Sequence, residues 1–493
     1  MLKSTQRMVH MDEARGGRGV QGKLMAFVRA SKPLRLLLLL LLCTAGLVVY
    51  VCLYRSADMR VQHAEDGSAD NNRWTFIGSS LFYPPSTTRE DLTLDLKEKT
   101  FLWKPHKVKE VDCAKLLTGN AEEFTHSEGT LPAPPTVEDI GKLAKNCSTF
   151  QQEYGFIMSS LTEEEENFPL AYSILVFKDA YQVVTLLQAI YRPQNVYCIH
   201  VDQKADPSYR DTMAAIADCF DNVFLTSRSV DVRWGRFTVL EPELICMKDL
   251  WPFKKWKYFI NLTGQEFPLR TNFELVRILT AYNGANDLEG TVKRANKGRW
   301  ASAGSPPHGI APVKGSVHIV VNRDFVDYVL HSPVAQDFLN WTRRVDVPDE
   351  TFFSSLNHNP HLGIRGSYKG PPETDPKVKP FLTRFKNWGG YPFDYPCKGG
   401  KRVRLVCILS TGDLPLLDKR PEMFANKFYQ DYSRVALECL HERLYNHTRD
   451  EFLGMMEFNT SYYENLSYVK NTVTAEEANE KMNLTRNLTE ISS

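Results

Sequence analysis

The chain has 493 residues, of which 43% are hydrophobic and 24% charged, and its formal net charge is +1. A chain of this length and ordinary composition holds two or three domains. Its near-neutral balance supplies no global basic field, which argues against nucleic acid as a partner.

Residues 1–35 carry Lys3, Arg7, Arg15, Arg18, Lys23, Arg29, Lys32 and Arg35 against Asp12 and Glu13. Leu36–Tyr54 follows as nineteen residues without a charge. That is enough to cross a hydrocarbon core as a helix. The basic lead predicts a cytoplasmic N-terminus and a single-pass type II anchor, with the remainder on the far side of the membrane. A cleaved signal peptide fits less well, because the basic lead and the apolar run are both too long for one. Residues 55–112 are polar and mixed, and read as a stem.

From 113 to about 445 the pattern is that of a folded domain. Ser173–Phe177, Val196–Asp202, Asn222–Ser227 and Tyr258–Thr263 read as strands. Ala180–Arg192, Tyr209–Phe220 and Glu243–Trp251 have apolar residues at helical spacing. Strand and helix in alternation predict an α/β fold around a mostly parallel sheet covered on both faces. Ligands in such sheets bind at the carboxyl ends of strands, so Asp202, which ends one, is a candidate; it also reads as a turn-forming aspartate. Residues 446–493 read as a polar, loosely ordered tail.

Eight cysteines lie beyond the apolar run: Cys113, Cys147, Cys198, Cys219, Cys246, Cys397, Cys407 and Cys439. An even count in a chain sent to an oxidising lumen suggests disulfides, with 105 connectivities open. Glycosylation sequons stand at Asn146, Asn340, Asn446, Asn459, Asn465, Asn483 and Asn487. Asn261 fits the pattern too, but lies in a strand-like apolar run.

Several chemistries are absent. There is no Walker loop and no nucleophile elbow, and no dinucleotide fingerprint follows a predicted strand. No Asp-x-Asp pair occurs to hold a divalent metal. The histidines of HERLYNH (His441–His447) are six apart, which puts them on different sides of a helix, and read as surface. Pro348-Asp349-Glu350 has two readings. It suits a helix start, with acidic groups facing the positive end of the macrodipole. One of its carboxylates could instead act as a base. Arg404 reads as the start of an apolar strand and Lys427 lies beyond it; both are snorkelling surface cations or anion ligands.

NLTGQEFPLRTN (Asn261–Asn272), PDE (Pro348–Glu350), the VR, VC and GDL arrangement between Val403 and Leu414, ANKF (Ala425–Phe428) and CIHVD resemble the core-2/I-branching β-1,6-N-acetylglucosaminyltransferases. The resemblance runs over about residues 113–445 and includes, more distantly, protein O-xylosyltransferases. It implies a GT-A-type nucleotide-sugar domain on a type II anchor in the Golgi membrane, acting with inversion and no divalent metal or other cofactor. Glu350 would be the general base. Asp202, Arg404 and Lys427 would bind the UDP-sugar. Glu289, Lys297, Arg299 and Trp388 would bind an O-glycan acceptor on a glycoprotein. The implied disulfides are Cys113–Cys439, Cys147–Cys219, Cys198–Cys246 and Cys397–Cys407. A homodimer stays open. Thr263 stands where the family has a cysteine, a harmless departure; departures at Phe353–Ser355, in STGDLPLL (Ser410–Leu417), around Trp388 and in the longer segment from Trp234 leave the donor (GlcNAc, Glc or Xyl) and the acceptor open. Transfer to protein serine and an inactive lumenal lectin are the alternative readings.

Overall fold

The computed structural model describes residues 106–127, 129–389, 395–481 and 483. The segments 1–35 and 36–54, the stem as far as residue 105, and Asn487 lie outside the described residues. Among the described residues, no helix is long and apolar enough to cross a membrane.

The strands are β1 (Leu170–Val176), β2 (Val196–Val201), β3 (Val223–Leu225), β4 (Tyr258–Thr263), β5 (Glu266–Pro268), β6 (Asp287–Leu288), β7 (Ile319–Asn322), β8 (Arg384–Phe385), β9 (Arg402–Val403), β10 (Val406–Cys407) and β11 (Phe424–Asn426). Six of them form the main sheet in the order β3-β2-β1-β4-β7-β6. The first four are mutually parallel, β7 runs antiparallel to β4, and β6 runs antiparallel to β7. The sheet is therefore mixed and mostly parallel, as an α/β reading requires.

Side-chain alternation along β1 and β2 sends successive residues to opposite faces. Tyr172, Ile174 and Val176, with Tyr197 and Ile199, pack against Val183 and Leu187 of the helix Ala180–Ile190 and Met213 of the helix Pro207–Ala217. Ala171, Cys198 and Phe259 meet Met247 and Leu250 of Glu241–Leu250 and Phe325 of Arg323–His331 on the other face. Both faces are covered, which explains why β1 and β2 read as continuous apolar runs. Each fully buried large side chain here contributes about 1.5–3 kcal/mol. Strand β1 begins before the predicted Ser173, because Leu170–Tyr172 pair with β2 or β4. Glu243 is buried under the sheet, accepting from Ser173 Oγ at 2.7 Å and Asn261 Nδ2 at 3.0 Å, and burial pushes its carboxyl up to about 7. Asn261 is thus spent inside the fold, consistent with its exclusion as a glycan acceptor.

A second sheet orders β5-β11-β8, with β11 antiparallel to β5 and parallel to β8. Its register decides the site: Lys386 directly follows β8 and Lys427 directly follows β11, so two parallel strands deliver a lysine at the same end. Strands β9 and β10 form a hairpin closed at its base by the Cys397–Cys407 disulfide.

Cys113–Cys439 and Cys147–Cys219 are also joined. Cys198 and Cys246 are not: both are free, buried thiols, which corrects the expected fourth bond. Cys198 faces the helix Glu241–Leu250 from β2, and the Cys246 Sγ is directed at the Cys198 carbonyl at 3.6 Å. Burial raises the Cys198 thiol well above its ordinary range.

The expected tail is corrected as well. Residue 446 falls inside the helix Gln430–Phe452, and Tyr463, Leu466, Tyr468 and Val473 beyond it are buried. Tyr468 bonds Tyr282 at 2.7 Å. Sequence polarity concealed this, because aromatics spaced among asparagines and glutamates supply the packing. Asn146, Asn340, Asn459, Asn465 and Asn483 are exposed.

Candidate active site

The Pro348–Glu350 turn precedes the helix Phe352–Asn357, but neither element has a side-chain cap. The capping reading is not realised. The two carboxylates instead part company. Asp349 points inward and is 7% exposed, whereas the Glu350 side chain is 27% exposed. Burial, then the charge of Glu350, pushes Asp349 up to about 7, against the pull of Arg299 and Lys386.

Glu350 is held by two cations. Arg299 Nη1 lies 2.5 Å and Lys314 Nζ 3.5 Å from its Oε2. Arg299 belongs to the short helix Lys297–Ala303, which docks on the turn: the Asp346 N–H donates to the Arg299 carbonyl at 3.0 Å and Trp300 Nε1 to Thr351 Oγ1 at 3.1 Å. Lys314 is placed by a bridge to Thr291, two residues after Glu289. The Gly315 N–H donates to the Glu350 carbonyl at 2.7 Å, and a side chain at Gly315 would overlap Ser354 and the Glu289 backbone.

Lys386 donates to Ser316 Oγ at 3.2 Å. Burial lowers it to about 8, while Glu289, Glu266 and Glu350 oppose that. Trp388 is 54% exposed, with the Lys386 ammonium 5.9 Å from its ring. Lys297 is exposed, two residues before Arg299, and it is Arg299 and Lys314 that pair with Glu350.

Arg404 is not at a strand start as expected. It occupies the tight turn between β9 and β10 with φ 51°, and Leu405 follows at φ 70°. Two positive angles fit the two-residue turn that matches strand twist, ordinarily filled by asparagine or glycine. A non-glycine pair there is strained, a feature that clusters at functional sites. The Arg404 guanidinium lies 5.3 Å from the exposed Trp234 ring. Lys427 is lowered by burial and then by the charge of Arg404, so the two cations face one another. Glu266, the acid near them, is already bound to Arg384 at 2.8 Å with both side chains fully buried, and His318 lies 3.3 Å from it. Among the described residues neither cation is paired with a carboxylate, which leaves both able to receive an anion.

Asp202 follows β2 and is gripped by Lys204 at 3.1 Å, which also binds Asp231 at 2.7 Å. The loop from Asp231 onward continues past Trp234 to Gly235, whose carbonyl accepts from the Val347 N–H at 3.1 Å. One loop thus touches the Asp202 region, Arg404 and the Glu350 turn. Sequence reasoning singled out neither Lys204, Asp231 and Trp234 in this loop system nor Lys314 and Lys386. The parallel pairing of β8 with β11 was the missing signal for Lys386. A cavity of 1280 Å³ lies elsewhere, lined by residues between Gly119 and Pro134 and between Tyr395 and Val435, and holds none of these residues.

A partly exposed carboxylate held by two cations, two further cations without an acid partner among the described residues, and a mixed, mostly parallel α/β sheet fit a glycosyltransferase of the GT-A kind. Residues 170–371 match the family model of the Core-2/I-Branching enzyme. The chain is 33% identical over 365 residues to a Homo sapiens β-1,3-galactosyl-O-glycosyl-glycoprotein β-1,6-N-acetylglucosaminyltransferase, covering 68% of this chain and 85% of that protein. It is 35% identical over 333 residues to form 4 from Danio rerio, covering 62% and 77%. Form 3 from Homo sapiens is 32% identical over 326 residues, covering 61% and 74%. The chain belongs to the core-2/I-branching family and is a glycosyltransferase resembling β-1,6-N-acetylglucosaminyltransferases.

Proposed function

We propose that this chain is an inverting Golgi transferase that moves GlcNAc from UDP-GlcNAc to the C6 hydroxyl of an O-glycan such as core 1, forming a β-1,6 branch. The observation that carries the reading is the division of labour at Asp349 and Glu350. The buried Asp349 favours its neutral form, and the outer carboxylate is positioned by Arg299 and Lys314. Both cations approach Oε2, so Oε1 is the oxygen for the acceptor hydroxyl. As that hydroxyl attacks the anomeric carbon, Glu350 takes its proton and the bond to UDP breaks on the opposite face. Arg404 and Lys427 stabilise the departing diphosphate, in the role a metal fills elsewhere. Asp202 holds the nucleotide. Glu289, Trp388, Lys297 and Arg299 form the acceptor side, Arg299 doing so through its grip on Glu350. The relatives' names support the donor and linkage, and the anchor expected at 36–54 supports the location.

The test offers UDP-GlcNAc, UDP-Glc and UDP-Xyl against Galβ1-3GalNAc-α-aryl, with EDTA present and Glu350→Gln alongside. Transfer from UDP-GlcNAc that survives EDTA and falls about 10²–10⁴-fold in Glu350→Gln supports the base role. Equal activity in that variant would sink it.

A further inference from the structure

We infer that His106, Glu438 and His441 form a binding site for a transition metal of the zinc class, none of the three being a residue assigned to the transfer step. Glu438 and His441 are three apart on the helix Gln430–Phe452 and so share a face. This E-x-x-H spacing is one that carries metals in helical proteins. His106 approaches from the segment before Cys113 and lies with its ring centroid 4.0 Å from that of His441. The three ligand atoms fall within 4.8 Å of one another.

Two further observations point to a ligand. His441 is 7% exposed, and its Nδ1 is buried without a hydrogen-bond partner. His106 Nε2 lies 3.2 Å from Glu438 Oε2 without hydrogen-bond geometry. The other carboxylate oxygen is occupied: Tyr181 donates to Oε1 at 2.7 Å, and Arg434 Nε lies 3.9 Å from it. Tyr181 thus orients the carboxylate with Oε2 toward the two imidazoles, as an outer-sphere partner does at metal sites. Imidazole and carboxylate together suit zinc, with bonds of about 2.0–2.2 Å and a fourth position for water. Closing the cluster to that size needs a small approach by His106, whose side chain is 25% exposed and sits on irregular backbone.

Burial of His441, Arg443 and Leu444 corrects the reading of HERLYNH as surface. The partner of His441 is Glu438, one turn back, and not His447. The metal would clasp residues 106–112 to the helix beside the Cys113–Cys439 disulfide, with the Val108 N–H bonded to Glu442 at 2.7 Å. It would be structural, so chelation would loosen this segment and spare the transfer step.

The experiment titrates chelator-stripped full-length chain with Zn²⁺, and with Co²⁺ as a spectroscopic probe. Expected are one equivalent bound, tetrahedral Co²⁺ absorption, and slower tryptic cleavage after Lys107 and Lys109 when Zn²⁺ is present. His106→Ala, which alters the most exposed ligand, should weaken binding at least 10-fold and abolish the protection, and Tyr181→Phe should weaken it about 10–100-fold. No saturable binding, or equal affinity in His106→Ala and Glu438→Gln, would overturn the inference.

Discussion

Replacing Asp349 by Asn separates burial from catalysis at the Pro348–Glu350 turn. The carboxyl belongs near 3.8 in the unfolded chain and is pushed up to about 7 in the fold, first by burial and then by Glu350. Each pKa unit corresponds to about 1.4 kcal/mol, so ionising Asp349 in place costs on the order of 4 kcal/mol. The sign follows from the raised value. The contribution of the neutral acid is fully present below about pH 4 and is lost as pH rises through 7. The carboxamide of the variant does not titrate. The stability difference between Asp349→Asn and the parent should therefore be small near pH 4.5 and grow to about 4 kcal/mol in favour of the variant by pH 8.5. Urea midpoints measured across that range read it directly. A difference that stays flat with pH would refute the assignment of a buried, neutral acid. Activity supplies the second arm: the variant keeps Glu350, so kcat should stay within about 10-fold of the parent, against the 10²–10⁴-fold loss expected of a missing base. A loss that large in Asp349→Asn would place the proton acceptor one residue earlier.

Glu266→Gln should destabilise the fold by about 3–5 kcal/mol in denaturant titration, because it leaves the fully buried Arg384 without its carboxylate. Arg404→Ala and Lys427→Ala should each lower kcat by about 10²–10³-fold and weaken inhibition by UDP, and unchanged UDP inhibition in both would remove the diphosphate from this site. Trp388→Ala should raise the acceptor KM about 10-fold or more with the donor KM unchanged, in the manner of a lost aromatic anchor. Alkylation of the full-length chain in denaturant without reductant should label Cys198 and Cys246 and spare the six bonded cysteines; protection of Cys198 would restore the fourth disulfide.

The main sheet was legible because its physics is local. β1, β2 and β4 are apolar runs bounded by turn residues, and the helices between them keep helical spacing on the faces they bury. Tyr258–Thr263 matches β4 end to end. The second sheet was not legible: β8 and β11 hold two and three residues, too short for any periodicity, and they pair across some forty positions. Long-range pairing of that kind is invisible to propensity, and with it went Lys386. Arg404 was found by resemblance and misplaced by pattern. The apolar Val406–Leu409 run looked like one strand starting at Arg404, whereas the tight turn is made by residues that ordinarily avoid positive φ.

The site itself divides along the same line. Glu350, Arg404 and Lys427 stand in short motifs that sequence preserves intact. Their arrangement depends on a loop whose role no motif records. Lys204 joins Asp202 to Asp231, Trp234 lies beside Arg404, and Gly235 binds Val347 in the turn that carries Glu350. Each contact is a single ion pair, ring contact or hydrogen bond of ordinary strength. Together they connect Asp202 and Arg404 to the Glu350 turn through the five residues Asp231–Gly235. On the proposed roles, a change in this loop reaches the donor-binding residues and the base together, which is the physical reason that the segment after Trp234 bears on both sugars.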